Sequence, residues 1–308
     1  MKIPLFDAHC DTVLEMAHNG VGFDKNNLHI DIMRAKKYKY AQFFALFGDM
    51  KNNPEDTFEK QYTVFCREIV AKEKDIRFCR TAREAELAAE EGKVAAFLSV
   101  EGAELLDGSI EKLDFAYELG VRAVTLTWNY ENTLSGSNAQ NPELGLKPQG
   151  KKFVNRCQEL GIIVDVSHLS EAGFWDVIEI TKKPIIATHS NAKALWNHSR
   201  NITDRQFKAI AETGGVAGIN LFSAFLGEEP DIDTVIAHIE HFLSLGGEKS
   251  VAIGSDFDGC NKLPRGVHGI EDMEKIFNAM LKKNYTEELV YDIFYNNLME
   301  VVKNICDI

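Results

Sequence analysis

A (β/α)8 barrel, the TIM-barrel fold, is the fold class that the sequence predicts, and three observations favour it. Short apolar runs rich in β-branched residues alternate with longer segments of helical periodicity along the 308 residues. Eight such runs can be counted, the number that closes this barrel. The runs are almost continuously apolar, as parallel strands covered by helices are. An open doubly wound sheet is disfavoured because no glycine-rich phosphate-binding fingerprint follows the first run.

The eight apolar runs are the predicted strands. They span residues 3–9, 40–47, 94–100, 121–127, 162–167, 184–189, 215–221 and 250–255. In the first half of the chain, three helices are predicted in the gaps. Segment 57–75 is amphipathic and charged, segment 81–92 is rich in Ala and Glu, and segment 109–120 has helical periodicity. The last two end at a glycine, the residue that most often follows a helix.

Helices are also predicted after the fifth and sixth strands. Ser170 is the predicted N-cap of the first, and Glu171 stands in its opening turn. Thr203 is the predicted N-cap of the second, which closes at Gly214. Predicted helices thus fill most of the gaps between the strands, as a barrel requires.

Two stretches interrupt the alternation, at residues 19–34 and 129–149. The second follows the fourth strand, is rich in Asn, Gly and Ser, and lacks periodicity. On a barrel it is a long loop excursion over the active face. Because the chain shows no internal repeat, low-complexity tract or clear linker, we expect one domain over residues 1–308.

Charge and cysteine content restrict the partners and the compartment. The formal net charge is −13, which disfavours nucleic acid and an anionic membrane surface as partners. No stretch has the length of a transmembrane helix, and the start lacks the apolar core of a signal peptide. The six cysteines have no close pair spacing and are expected to be free thiols. We therefore expect no membrane association and a cytoplasmic location.

The first strand ends in a histidine and a carboxylate that suit a metal ion. His9 and Asp11 stand two residues apart in FDAHCDT, so alternation places them on one face of a strand. Imidazole and carboxylate together are ligands for a borderline cation such as zinc. By itself the pair is a weak signal, because His and Asp at this spacing are common.

Ionisable residues also end four other predicted strands, which strengthens the metal prediction. They are Glu101, His168, His189 and Asp256. In barrel enzymes the chemistry lies at the carboxyl ends of the strands. A natural grouping places His9, Asp11 and Glu101 on one cation and Glu101, His168 and His189 on a second. Two cations about 3.5–4 Å apart hold a bridging hydroxide and polarise a carbonyl.

Each of these residues also has an ordinary structural interpretation. A histidine at the end of a buried strand is more often a satisfied core residue than a ligand. Glu101 suits a helix N-terminus, and Asp256 suits the turn before Gly259. Their joint occurrence at the ends of five strands is what favours a metal site.

At this point the chain resembles the renal or membrane dipeptidase family of the metal-dependent amidohydrolase superfamily. The resemblance runs nearly end to end and depends on six motifs in order, which are FDAHCDT, SVEGAE, TLTWNYEN, VDVSHLS, ATHSNAKALWNHSRNITD and IGSDFDG. It implies a (β/α)8 barrel with two Zn²⁺ ions that hydrolyses dipeptides, some members accepting a C-terminal D-residue. It also suggests a homodimer.

The resemblance assigns roles to individual positions. His9, Asp11, Glu101, His168 and His189 match the metal ligands, with Glu101 as the bridge, and Asp256 matches the acid–base carboxylate. Arg200 in NHSRNITD matches the arginine that holds the substrate carboxylate. Mammalian members carry a substrate-contacting histidine at or near the position of Trp128, so Trp128 or Asn129 takes its place among the predicted substrate-binding residues.

Three functions stay open on this evidence. The first is a zinc dipeptidase that acts through a metal-bridging hydroxide. The second is a related amidohydrolase acting on another amide, a lactone or a β-lactam, and the departure at Trp128 keeps it open. The third is a metal-binding protein without catalysis, which the carboxylate of Asp256 argues against.

Overall fold

Eight parallel strands close into a ring in the computed structural model, which describes residues 2–307. The nine strands of the sheet are β1 (Pro4–Cys10), β2 (Lys39–Phe47), β3 (Ile76–Phe78), β4 (Val94–Glu101), β5 (Val121–Thr125), β6 (Ile163–Asp165), β7 (Ile185–Ala187), β8 (Val216–Ile219) and β9 (Val251–Ile253). The ring runs β1-β2-β4-β5-β6-β7-β8-β9 and returns to β1 through Asp7 and Ile253. The predicted (β/α)8 barrel is therefore confirmed.

Strand β3 lies outside the ring and was not predicted. Ile76, Arg77 and Phe78 pair with residues Val94–Ala96 of β4, and β5 joins the same edge of β4 from Leu98 onward. Three residues with a charge in the middle give no alternation long enough to indicate a strand. The eight predicted strands correspond to β1, β2 and β4–β9.

Helices cover the outside of the ring. They are α1 (Thr12–Asn19), α2 (Ile32–Ala35), α3 (Phe58–Ala71), α4 (Ala82–Glu90), α5 (Ile110–Leu119), α6 (Pro148–Leu160), α7 (Glu171–Ile180), α8 (Asp204–Glu212), α9 (Ser223–Leu226), α10 (Ile232–Ser244), α11 (Met273–Lys282), α12 (Glu287–Tyr291) and α13 (Asn297–Cys306). A π-helical segment, Asp292–Asn296, joins α12 to α13. None of the helices in the described part of the chain is long and apolar enough to span a bilayer.

The predicted helix starts and stops are confirmed at the positions with clear chemistry. The Ser170 hydroxyl accepts a hydrogen bond from the Gly173 amide at the start of α7. Thr203 and Gln206 form a reciprocal capping box at the start of α8. Helix α5 ends at Gly120 with a φ of 106°, a conformation that glycine adopts without strain. These signals are local, so the sequence carries them directly.

The interior of the barrel is filled from all eight strands of the ring. One buried cluster combines small and β-branched residues from every ring strand with three phenylalanines, Phe6, Phe43 and Phe97, whose ring centroids lie 5.1–5.6 Å apart. Helix α13 contacts β1, β6, β8 and β9 and belongs to the same cluster, so it crosses one end of the barrel. The functional residues lie at the other end, where the strands finish.

The later strands end sooner than predicted. The sequence predicts strands over 162–167 and 184–189, but β6 stops at Asp165 and β7 at Ala187. The buried carboxylate of Asp165 accepts hydrogen bonds from the backbone amides of Ser167 and Thr188, both at 2.9 Å. These bonds replace ladder pairing, and they hold the segments that carry His168 and His189.

Candidate metal centre and active site

A cavity of about 820 Å³ opens at the carboxyl ends of the strands. Eight of the nine residues predicted to act in the site line it, which are Asp11, Glu101, Trp128, Asn129, His168, His189, Arg200 and Asp256. The ninth, His9, is 1% exposed and places its Nε2 atom 3.5 Å from the carboxylates of both Asp11 and Glu101. The fold thus brings all nine together from six different strand ends.

The first group of possible metal ligands comes from β1, from the turn between β1 and α1, and from β4. His9 lies on β1, Asp11 is the residue before α1, and Glu101 ends β4. The Nε2 atom of His9 and the Oδ1 atom of Asp11 are buried and have no hydrogen-bond partner among the described residues. Buried polar atoms are rarely left without a partner unless a water or an ion completes them. This arrangement fits a cation between the three side chains.

The second group of donors meets at the other oxygen of Glu101. Its Oε1 atom lies 2.9 Å from Nε2 of His168 and 3.4 Å from Nε2 of His189. The two Nε2 atoms are 3.1 Å apart. Glu101 therefore stands between the two groups, with one oxygen toward each.

Hydrogen bonds on the far side of two rings fix which nitrogen carries the proton. The Oδ1 atom of Asn129 lies 2.9 Å from Nδ1 of His168, and an amide oxygen only accepts. Thr188 donates its hydroxyl hydrogen to Asp165 at 2.6 Å, so at 2.7 Å it accepts from Nδ1 of His189. Both rings therefore present an Nε2 lone pair to Glu101. Partners of this kind orient imidazoles that bind metals.

The charge states of Glu101, His168 and His189 also suit a metal. Burial, and then the charge of Arg200, lower the pKa of His168 to about 4, and burial and His9 lower the pKa of His189 well below its usual range. Burial disfavours the ionised form of Glu101, but the charge of His9 and the close approach of His168 and His189 hold its pKa well below the usual value. Neutral imidazoles and an ionised carboxylate are the forms that bind divalent cations.

Asp256 is held beside the first group in a strained backbone conformation. Its φ is 61°, in the left-handed region that non-glycine residues seldom adopt, and His168 has a φ of 65°. Asn220 donates a hydrogen bond to Oδ2 of Asp256 at 3.0 Å. Burial raises the pKa of Asp256 to about 7; His9 opposes this rise and the charges of Asp11 and Glu101 add to it. A carboxyl group with this pKa exchanges protons readily at neutral pH.

Arg200 is a buried guanidinium that no carboxylate neutralises within the described chain. It is 6% exposed, donates from Nη2 to the backbone oxygen of His189 at 3.4 Å, and leaves Nε without a partner. Its guanidinium carbon lies 5.5 Å from the centre of the Phe225 ring. Burying a cation costs free energy unless an anion or a hydrogen-bond acceptor pairs with it. The side chain is therefore ready to receive an anionic group.

Comparison with known proteins places the chain in a family. The family model for membrane dipeptidases, peptidase family M19, matches residues 1–308. The chain belongs to the M19 family. Its members are metallopeptidases, so this M19 protein is a metal-dependent hydrolase, as predicted.

Relatives with recorded sequences and structures agree with that assignment. An uncharacterised dipeptidase of Schizosaccharomyces pombe is 32% identical over 302 residues, covering 89% of this chain and 72% of the relative. An uncharacterised protein encoded in the pqqA 5′ region of Klebsiella pneumoniae is 31% identical over 265 residues, covering 82% and 97%. The crystal structure of a Rhodobacter sphaeroides metallopeptidase, liganded with a phosphinate mimic of the dipeptide L-Ala-D-Ala, is 26% identical and superimposes with a TM-score of 0.90, covering 99% and 100%.

Trp128 builds a wall of the cavity in this M19 protein. Its ring centroid lies 4.8 Å from that of Phe47, 5.4 Å from that of Tyr130 and 6.3 Å from that of His168. The amide of Trp128 donates to the half-buried carboxylate of Glu104 at 3.2 Å. An indole packed in this way supplies apolar surface where a histidine would supply a hydrogen bond.

The long loop between β5 and α6 closes one side of the site. The backbone amide of Asn138 donates to the oxygen of His168 at 2.8 Å, and its side chain donates to the oxygen of Ser199 at 3.3 Å. The loop therefore reaches from the end of β5 to the segment that carries Arg200. This position over the active face is the one predicted from its composition.

Several residues of the site gave no clear signal in the sequence. Thr188 and Asn220 contact the site through neighbours that the fold brings to them, and no role was predicted for either of them from the sequence. Lys51 and Glu15 line the cavity from segments beyond β1 and β2. Asp165 supports the site from beneath, since its buried carboxylate accepts hydrogen bonds from the hydroxyls of Thr125 and Thr188, both at 2.6 Å.

Three histidines outside the predicted site lie apart from the donor cluster, and a fourth lines the cavity. His18 pairs with Asp56 at 2.9 Å, and His241 pairs with Asp204 at 2.7 Å. His238 is buried and bridges two backbone groups. His198 is the fourth, and it lines the cavity beside Arg200 and accepts the Arg200 amide hydrogen at 3.2 Å.

Proposed function

We propose that this M19 protein is a zinc-dependent dipeptidase whose substrates include dipeptides with a C-terminal D-residue. The observation that carries the proposal is the presence, in one cavity, of a metal-type donor cluster and of a buried guanidinium with no carboxylate partner in the described chain. The first suits the hydrolysis of an amide, and the second suits a free carboxylate next to it. A Rhodobacter sphaeroides relative that binds a mimic of L-Ala-D-Ala supports the D-residue part of the proposal.

The donor cluster divides into two sets that share Glu101. His9, Asp11 and Glu101 would hold one zinc ion, and Glu101, His168 and His189 would hold the other. Two zinc ions supply Lewis acidity toward the scissile carbonyl and lower the pKa of water to give a hydroxide nucleophile. The orphaned donor atoms of His9 and Asp11 support this occupancy.

Arg200 positions the substrate. Its guanidinium forms two parallel hydrogen bonds with the C-terminal carboxylate, a geometry that a lysine does not reproduce. The pairing neutralises both buried charges at once, and it places the peptide bond one residue away, over Glu101. A substrate without that carboxylate leaves the guanidinium unpaired and binds weakly.

Asp256 transfers the proton. It accepts a proton from the attacking water and delivers it to the nitrogen of the peptide bond, which leaves as the amine of the second amino acid. The hydrogen bond from Asn220 keeps one oxygen occupied, so the other faces the reacting groups. A pKa near 7 lets the same carboxyl group accept and then release the proton.

The remaining parts of the proposal concern location and assembly. The six cysteines are all free in the structure, which supports a reducing cytoplasmic environment. A homodimer stays a prediction from the family resemblance, and a single domain over residues 1–308 stays a prediction from the lack of a linker in the sequence.

A small substrate panel tests the proposal. The zinc-loaded protein is assayed with L-Ala-L-Ala, L-Ala-D-Ala, the C-terminal amide of each, and an N-acetyl amino acid. We expect both free dipeptides to be hydrolysed, with loss of activity on amidation and on chelation. Equal hydrolysis of the amides would contradict the role of Arg200. Cleavage of the N-acetyl amino acid alone would indicate the other amidohydrolase function, to which the aromatic wall at Trp128 points.

A further inference from the structure

The rim of the cavity carries a lysine that is held in place but has no acidic partner. The Nζ atom of Lys51 lies 3.6 Å from the centre of the Tyr130 ring. Within residues 2–307, no carboxylate oxygen lies within 4.0 Å of that atom, although the protein as a whole is strongly acidic. An aromatic face attracts a cation without cancelling its charge. Lys51 therefore presents a positive charge to the cavity that it lines.

The order of the strands places Lys51 opposite Arg200. Arg200 belongs to the segment that follows β7, and Lys51 belongs to the segment that follows β2. In the closed ring of eight strands, β2 and β7 are four positions apart in either direction. The two cations thus lie on opposite sides of the mouth, and the donor cluster around Glu101 lies between them.

This arrangement fixes the direction of a bound dipeptide. With its carboxylate on Arg200 and its peptide bond over Glu101, its C-terminal side chain meets Phe222 and Phe225, which also line the cavity on the β8 side. Its N-terminal residue points away from Arg200, toward the segments after β1 and β2. The side chain of that residue is the part of the substrate that Lys51 reaches.

A second charged residue, on the same side of the cavity as Lys51, can pair with the free amine of the substrate. Glu15 lies on α1 one turn beyond Asp11 and lines the cavity. Its only side-chain hydrogen bond in the described structure comes from Asn19, at 3.0 Å. A free α-ammonium group near α1 would find its anionic partner there. Lys51 then remains free to pair with the side chain of the N-terminal residue of the substrate.

Neighbouring side chains pack against Tyr130, the aromatic ring that Lys51 contacts. Tyr130 packs edge-on against Trp128 with centroids 5.4 Å apart, and Trp128 packs against Phe47. Asn52 adds a hydrogen bond to the Tyr130 hydroxyl at 3.5 Å. A cavity of about 820 Å³ lies in the upper part of the range for small-molecule sites, so it has room for a side chain longer than that of alanine.

We propose that Lys51 selects dipeptides whose N-terminal residue is acidic, glutamate or aspartate, by pairing with the side-chain carboxylate. This inference rests on the proposed dipeptidase function and goes further by naming the substrate class. A basic N-terminal side chain meets a like charge at the same place and is disfavoured.

The test compares substrates that differ only in one charge. L-Glu-L-Ala and L-Gln-L-Ala are assayed with the zinc-loaded enzyme, and the ratio of their kcat/KM values is the readout. We expect a ratio of about tenfold in favour of Glu, the size of one hydrogen bond to a charged group. For Lys51→Glu we expect the ratio to invert and L-Lys-L-Ala to improve. Lys208→Glu, the same charge change on the exposed side of α8, keeps the native ratio.

A second pair of substrates tests the direction of binding. L-Ala-L-Glu and L-Ala-L-Gln carry the charge on the other residue, so their ratio is expected not to respond to Lys51→Glu. A native Glu-to-Gln ratio near one, or a ratio that Lys51→Glu leaves unchanged, would overturn this inference while leaving the dipeptidase function intact. Hydrolysis of no dipeptide by the metal-loaded protein would overturn the proposed function itself.

Discussion

At the scale of single residues, the site depends on a carboxyl group whose surroundings raise its pKa to about 7. Asp256 is 7% exposed and lies close to Asp11 and His9, so its charged form is disfavoured by burial and by its acidic neighbours. Asp256→Asn preserves the shape and removes the proton transfer. We expect metal content to stay the same while kcat falls by about 10²–10⁴-fold, the contribution of general acid–base catalysis. Metal analysis and steady-state kinetics on one preparation check this, and normal turnover would refute the role.

A second residue acts only through its neighbour. The Thr188 hydroxyl links the Asp165 carboxylate to Nδ1 of His189, so it fixes the ring that presents Nε2 to Glu101. Thr188→Val is nearly isosteric and removes the link. We expect metal affinity to fall by about 10–100-fold, as for other lost partners of metal-binding histidines. The measurement is a metal competition titration against a chelator.

The conservative variant provides the control. Thr188→Ser keeps a hydroxyl at the same place, and we expect it to retain near-native affinity. Equal loss of affinity in both variants would mean that the methyl packing of Thr188 matters and the hydrogen bond does not.

At the scale of elements, a buried histidine joins helices to the loops that carry the site. His238 on α10 accepts the amide hydrogen of Ala192 at 3.1 Å and donates to the oxygen of Leu226 at 3.0 Å. Both bonds require the neutral ring. Burial lowers the pKa of His238, with a backbone bond opposing the shift and His241 adding to it. The unfolded chain therefore binds a proton at this position before the folded chain does.

The expected result is a pH-dependent stability with a defined sign. Because the folded pKa is below the ordinary value of about 6.5, the contribution of His238 is complete above that pH and declines as the pH falls below it. We compare the free energy of unfolding in urea, with chelator present, between pH 7.5 and pH 5 for the native protein and His238→Gln. The native protein should lose more stability over this interval than the variant. Parallel losses would exclude a buried neutral His238.

The elements also show what sequence reasoning reaches and where it stops. Continuous apolar runs and capping residues such as Ser170 and Thr203 are local signals, and they located the eight strands of the ring and two helix starts. Strand β3 was missed because three residues give no periodicity. The ends of β6 and β7 were misplaced because the side chain of Asp165, at the end of β6, accepts the amide hydrogens of Ser167 and Thr188 that would continue the ladder.

At the scale of the whole molecule, barrel geometry gathers the strand ends at one face, which is why the six residues predicted from strand ends converge in the structure. The family resemblance was needed to predict Arg200, Trp128 and Asn129. Residues that support the site, such as Thr188 and Asn220, were not predicted, since their roles depend on contacts between strands that the sequence does not order. Lys51 and Glu15 depend on which segments oppose each other across the ring. The sequence therefore predicts the donor residues from the strand ends, whereas the positions of Lys51 and Glu15 relative to them follow only from the strand order.

Removal of the metal is expected to lower the stability of the whole chain, because the proposed ligands come from several strands of the ring. Glu101 lies between His9 on β1, His168 after β6 and His189 after β7, so a cation there links distant segments. A ligand at a free concentration 1,000 times its Kd stabilises the folded state by about 4 kcal/mol. We expect chelation to lower Tm by several degrees and zinc to restore it. The Asp256→Asn variant keeps all the proposed metal ligands, so chelation should lower its Tm as much as that of the native protein. The His168→Ala variant lacks one ligand, so chelation should lower its Tm by less. A Tm that chelation leaves unchanged in protein shown to have carried metal would mean that the barrel is fully organised by its apolar interior, and that the donor cluster adds nothing to its stability.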